Sequence, residues 1–262
     1  MKVTFDSNVW QPVCDPQRYL TDPSIAHFQK INSAISTGEI NAYLAETTFT
    51  LEAIKKADRQ ATLANYKLKV ALSGEELPNG TLKLNVQIGP DLSAHPGNNS
   101  HLALYLANAI PLGFKILYCP RIGAFKNFDV KDDYFVAQSE VDFHVRNELA
   151  GKVAREIEAR NAGVSQLKAI GAKYSSAPRD WMDGIRIAPD DEEKAIAKAF
   201  AEWADGDSIA AHIGYGNTHY CTRDQGRSAG QHSILARPNR TWLEQTYKVV
   251  FVTPDELSAL LV

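Results

Sequence analysis

The sequence predicts an α/β fold: three layers, with a central, mostly parallel sheet covered by helices on both faces. Three observations predict it. The outer parts of the chain alternate short apolar runs with helical patterns, and such alternation favours parallel strands joined by crossover helices. The first and last of these runs, Val3-Thr-Phe5 and Val249-Val-Phe-Val252, have the length and composition of buried strands. The last run leads directly into Thr253-Pro254-Asp255-Glu256. That order supplies an N-cap, a proline at the first helical position and the glutamate of a capping box.

The elements follow in order. Residues 2–5 form a short strand ending at Asp6-Ser7-Asn8. Residues 24–36 carry Ile25, Phe28, Ile31 and Ile35 at helical spacing. Gly38 punctuates, 40–44 reads as strand and 48–57 as helix. Alternation then takes over: Leu68, Val70 and Leu72, then Leu82, Leu84, Val86 and Ile88, with Pro78-Asn79-Gly80 between them. Asn-Gly between alternating apolar residues is a strong hairpin signal. Residues 91–100 read as loop, 102–109 as helix and 114–119 as strand. Val141, Val145, Leu149, Val153 and Ile157 recur every fourth residue and mark an amphipathic helix. A shorter helix spans 164–170, and 174–189 reads as a linker or long surface loop. A helix at 192–203 is followed by a separate one opening at Asp207-Ser208. Gly214-x-Gly216 reads as a helix terminator, and 219–222 as a short strand. The expected organisation is a core made of 1–60 and 190–262, with 61–189 inserted.

Composition excludes several classes. The 262 residues suffice for a core without disulfides or metal staples. Charged residues are 23% and hydrophobic ones 44%, which rules out a largely disordered chain. A net charge of −3 argues against coating nucleic acid by bulk positive charge, and leaves room for a local basic patch. Three widely spaced cysteines, Cys14, Cys119 and Cys221, do not form a secreted disulfide framework. Neither a signal peptide nor a membrane span is evident, so a cytoplasmic protein without membrane contact is expected.

The chemistry-bearing residues are acidic and sit where strands give way to helices. Asp6 follows the first strand, and Asp224 follows His219-Tyr-Cys-Thr222. Ligands of open parallel sheets bind outside the carboxyl ends of the strands. Asp207 opens a helix, where it serves equally as a simple cap. Several carboxylates converging on one sheet edge repel one another unless a hard divalent cation neutralises them, which points to Mg²⁺ or Mn²⁺.

These residues resemble the PIN-domain nucleases. Phe5-Asp6-Ser7-Asn8-Val9 looks like their opening motif, Asp207-Ser-Ile-Ala-Ala211 like the third acidic motif, and Thr222-Arg223-Asp224 like the fourth. The ending 249–257 is similar to theirs. Thr50-Leu51-Glu52 best matches the second acidic motif, with Glu46 as competitor; Asp205 is the rival of Asp207. The resemblance implies a metal-dependent ribonuclease with Asp6, Glu52, Asp207 and Asp224 as catalytic metal ligands. It implies positioning roles for Asn8, Thr222, Arg223 and Arg227. RNA is the implied partner; an antitoxin-like protein, as small relatives often have, and a second copy of the chain are further candidates. Arg223, Arg227, His232, Arg237 and Arg240, with Trp242 behind them, suit a phosphate backbone and equally a solvated loop.

Two other readings compete. One is a phosphatase of the haloacid-dehalogenase type, whose nucleophilic aspartate has a second acid two residues on. Here that position is Asn8. The other is a catalytically silent PIN-like module that binds RNA or protein.

Overall fold

A computed structural model describes residues 1–65, 68–90, 100–120, 131–226, 230 and 232–261. Its centre is a parallel sheet of five strands: β1 (Lys2–Phe5), β2 (Asn41–Ala45), β5 (Lys115–Leu117), β6 (His219–Cys221) and β7 (Val250–Val252), in the spatial order β5-β2-β1-β6-β7. The remaining strands, β3 (Leu68–Glu76) and β4 (Leu82–Pro90), form an antiparallel hairpin of their own. This is the expected three-layer α/β/α architecture.

The side-chain period of two sorts each strand onto both faces. Val3, Phe5, Ala42 and Leu44 join one core with helices α1 (Ser7–Cys14), α2 (Ile25–Ser36), α5 (Ser100–Leu112) and α11 (Pro254–Ala259). Tyr220 and Phe251 join the other with α6 (Glu140–Ala159), α9 (Glu193–Gly214) and α10 (Arg237–Tyr247). A third cluster lies beside the sheet. Leu51, Ile54 and Leu63 meet the first half of α9 there, together with α7 (Ser165–Ala172) and α8 (Trp181–Ile187). Leu63 belongs to α4 (Arg59–Ala64), and Leu51 follows the single turn α3 (Thr47–Thr50).

Several expected elements change. The segment 61–189 is part of the structure's centre as well as its periphery: β5 pairs with β2, and α5 supplies Leu102, Tyr105, Leu106 and Ala109 to the first core. Residues 174–189 contain α8 where a loop is expected. The helix expected at 48–57 is only the turn α3. The two helices expected at 192–203 and from Asp207 are one helix, α9. Gly206 does not stop it, because that glycine is where α9 touches the chain after α6: a Cβ there would lie 3.1 Å from Gly163 Cα. Gly216, with φ +61°, does terminate the helix, in the left-handed region that glycine tolerates. The amphipathic stripe of α6 is buried only in its second half, at Val153 and Ile157; Val141 and Val145 are exposed. All three cysteines are free and buried. Among the described residues, no helix is long and apolar enough to cross a membrane. The 91–99 part of the expected loop lies outside the described residues.

The strand order places a topological switch at β1. From β1 the chain builds outward through β2 and β5, then returns to add β6 and β7 on the other side. Such switch points open a crevice at the carboxyl ends of the strands.

Candidate functional site

Asp6 is the residue after β1, and Thr222 is the residue after β6. They sit side by side because Phe5 is in register with Cys221, and Asp6 N donates to Cys221 O at 3.0 Å. Asp6 also caps α1, accepting from Ser7 N at 2.7 Å. Its other carboxylate oxygen accepts from Thr222 Oγ1 at 2.5 Å and from Asn8 Nδ2 at 2.8 Å. Asn8 Oδ1 in turn accepts from Arg223 N at 3.0 Å. Asn8 and Thr222 therefore hold the buried Asp6 carboxylate and tie together the loops after β1 and β6.

Glu52 comes from the turn after α3. It accepts from Ser7 Oγ at 2.9 Å, so Ser7 links the first two acids. The third is Asp205 of α9. One carboxylate oxygen from each of Asp6, Glu52 and Asp205 lies within 4.8 Å of the others. Asp205 therefore occupies the place expected for Asp207. The reason is helical phase: two residues along a helix turn about 200°. Asp207 points elsewhere, is almost fully buried, and accepts from Trp203 Nε1 at 2.9 Å. Glu46 also lies apart, accepting from Cys119 N at 3.2 Å.

Two further acids border the triad. Asp224 raises the pKa values of Asp6 and Asp205 by its charge; its Oδ1 accepts from Gly226 N at 2.6 Å. Glu202 lies one helical turn before Asp205, is buried, and accepts from Ile234 N at 3.2 Å. Sequence reading missed Glu202. Its signal is the i,i+3 spacing to Asp205 inside an otherwise apolar stretch.

Burial dominates the electrostatics; repulsion from neighbouring carboxylates comes next for Glu52 and Asp205, and hydrogen bonds come next for Asp6. Burial raises the Asp6 carboxyl above the usual range, with Asp224 adding to it, while the Thr222 and Ser7 hydrogen bonds oppose the shift. Burial and then Asp6 push Glu52 up to about 7. Asp205 is held well above its ordinary value by burial and then by Asp6, Glu52, Glu202 and Asp224. Arg59 supplies partial compensation to Glu52 and Asp205.

The donor set fits a hard divalent cation. Every donor is a carboxylate oxygen, and oxygens bound to one ion at about 2.0–2.6 Å lie no more than about 5 Å apart. Asp6, Glu52 and Asp205 are the residues that could hold such an ion.

Of the expected basic residues, Arg223 is committed elsewhere. Its guanidinium forms a two-pronged ion pair with Asp22, at 2.7 and 2.9 Å, and lies over the Phe28 ring. Arg227 lies outside the described residues. The Trp242 face is covered by Arg160, 4.6 Å from its centroid. Comparison with family models, curated proteins and solved structures finds no match to this chain.

Proposed function

We propose that this chain is a Mg²⁺- or Mn²⁺-dependent phosphodiester hydrolase acting on RNA. One observation carries the reading: Asp6, Glu52 and Asp205 converge within 4.8 Å at the switch point of a parallel sheet. The order of the acidic motifs along the chain, similar to that of PIN-domain nucleases, supports it.

Asp6, Glu52 and Asp205 would hold the ion, with Asp224 and Glu202 beside them. When bound, a divalent ion supplies a water of lowered pKa and neutralises charge on the scissile phosphate. Thr222 and Asn8 orient Asp6 through its second oxygen, and Ser7 orients Glu52. These contacts fix two ligands before the ion arrives, which limits the reorganisation that binding requires. Asn8 donates to Asp6 at the position where a haloacid-dehalogenase-type phosphatase needs an acid, and this weighs against that alternative.

The test is hydrolysis of single-stranded RNA with Mn²⁺, with Mn²⁺ plus excess EDTA, and by the Asp6→Asn variant. Cleavage in the first case alone is expected. Cleavage that survives both EDTA and Asp6→Asn, or no cleavage under any condition, overturns the reading.

A further inference from the structure

Beside the acids lies an open cleft of about 510 Å³ between α4 and the first half of α9. Lys56, Arg59, Lys194 and Lys198 line it, against a single carboxylate, Glu193. Two of these cations connect it to the acidic centre. Arg59 interacts electrostatically with Glu52 and Asp205, and Lys198 with Glu202. Arg59 is anchored and therefore forms a fixed wall: Nε donates to Ile54 O at 3.2 Å and Nη1 to Ala197 O at 2.7 Å. The three lysines are exposed at the rim.

Helical phase aligns the cleft with the triad. Lys194, Lys198, Ala201 and Asp205 are spaced four, three and four residues apart, and so share one face of α9. At 1.5 Å rise per residue, Lys198 sits about 10 Å and Lys194 about 16 Å along the helix axis from Asp205. That is the reach of a few nucleotides. The opposite flank is less suited: the cleft beside α10 sets Glu244 and Glu256 against Arg237 and Arg240, and Arg240 is stacked over Phe251 at 4.4 Å.

We infer that the Lys56–Lys194–Lys198 cleft is the track of the nucleic-acid strand next to the scissile phosphate, binding its backbone as a polyanion. This rests on the hydrolase reading and adds the direction from which substrate enters. Contacts of this kind neutralise phosphates without reading bases, so the track binds strands regardless of sequence.

The test is fluorescence anisotropy of a labelled single-stranded RNA in EDTA across a salt series, so that hydrolysis does not enter. The triple variant Lys56→Ala/Lys194→Ala/Lys198→Ala is compared with wild type and with the triple Lys→Arg variant. Each phosphate contact contributes about 0.7 to the salt slope for a single strand, so the alanine triple should lower the slope by about two. It should weaken binding by about tenfold or more, and the arginine triple should restore both. An unchanged slope and affinity in the alanine triple overturns the track. Displacement of RNA by poly-glutamate as readily as by unlabelled RNA assigns the cleft to an acidic protein and also overturns it. The two readings fail separately: intact, lysine-dependent binding without metal-dependent cleavage removes the hydrolase reading alone.

Discussion

The carboxyl end of the sheet carries two acidic groups, and they differ in what surrounds them. One lies at β1 and β6, where the strand order reverses: Asp6, Glu52 and Asp205, bordered by Glu202 and Asp224. The other lies at β2 and β5, where the order runs on without reversal. There Glu46 and Asp207 both act on the buried Cys119 thiol, whose pKa burial and these two charges raise. In the second group the identified contacts are internal. Trp203 Nε1 donates to Asp207, and Cys119 N donates to Glu46. The first group has internal contacts as well: three carboxylates face one another, opposed by hydrogen bonds from Ser7, Thr222 and Asn8 and by the charge of Arg59. Position relative to the switch point therefore separates the members of each rival pair. Glu52 and Asp205 stand at the crevice, and Glu46 and Asp207 stand beside it.

Exchanging rivals gives the largest expected contrast. Asp205→Asn should lower Mn²⁺ affinity, measured by calorimetry, by more than about 100-fold, since loss of even an outer partner costs about 10–100-fold. Asp207→Asn should leave the affinity within about threefold and cost about 1 kcal/mol of stability, through the weakened Trp203 bond. Equal effects on metal affinity would erase the distinction between the two groups.

Thr222→Val comes next. It removes the hydroxyl that donates to Asp6 but no ligand, so Mn²⁺ affinity should fall by about 10–100-fold while the melting curve in EDTA stays cooperative. An unchanged affinity would make the Thr222 contact incidental.

The smallest effect sharpens the comparison through pH. The Glu52 carboxyl, ordinarily near 4.5, is raised to about 7 in the folded chain. Metal must displace that proton, along with those held by the raised Asp6 and Asp205 carboxyls, so affinity should climb with pH through about 7, the Glu52 proton contributing up to about tenfold per pH unit. Without metal the sign is opposite. The stability contributed by protonated Glu52 is fully present below 4.5 and is lost as pH rises through about 7. Glu52→Gln should make both profiles shallower, and Glu46→Gln neither; thermal melts and calorimetry from pH 5 to 8 would report this.

Much of this arrangement was readable in the sequence, for reasons visible in particular residues. Asp6 is readable because a buried strand ends at it, and Glu52 through the resemblance of Thr50-Leu51-Glu52 to the second acidic motif. The hairpin is readable because Asn79-Gly80 favours a tight turn between alternating apolar runs, and residues 77–81 close it through a Leu77 N to Thr81 O bond. Asp207 is the sequence's choice over Asp205 because Ser-Ile-Ala-Ala211 follows it, as in the motif it resembles, and Gly206 sits between the two rivals. The role of Gly206, close contact with Gly163, is set by a residue 43 positions earlier. Helix α10 escaped notice because only Asn239 and Leu243 of its residues are buried, leaving no apolar stripe to read. The commitment of Arg223 to Asp22 joins residues 201 positions apart, a pairing that local pattern does not encode.

The most direct test of the central claim is anomalous diffraction from crystals grown with Mn²⁺. A peak is expected within about 2.0–2.3 Å of carboxylate oxygens from Asp6, Glu52 and Asp205, and none beside Glu46 and Asp207. A peak at the Glu46–Asp207 group, or an empty triad at saturating Mn²⁺, would contradict it.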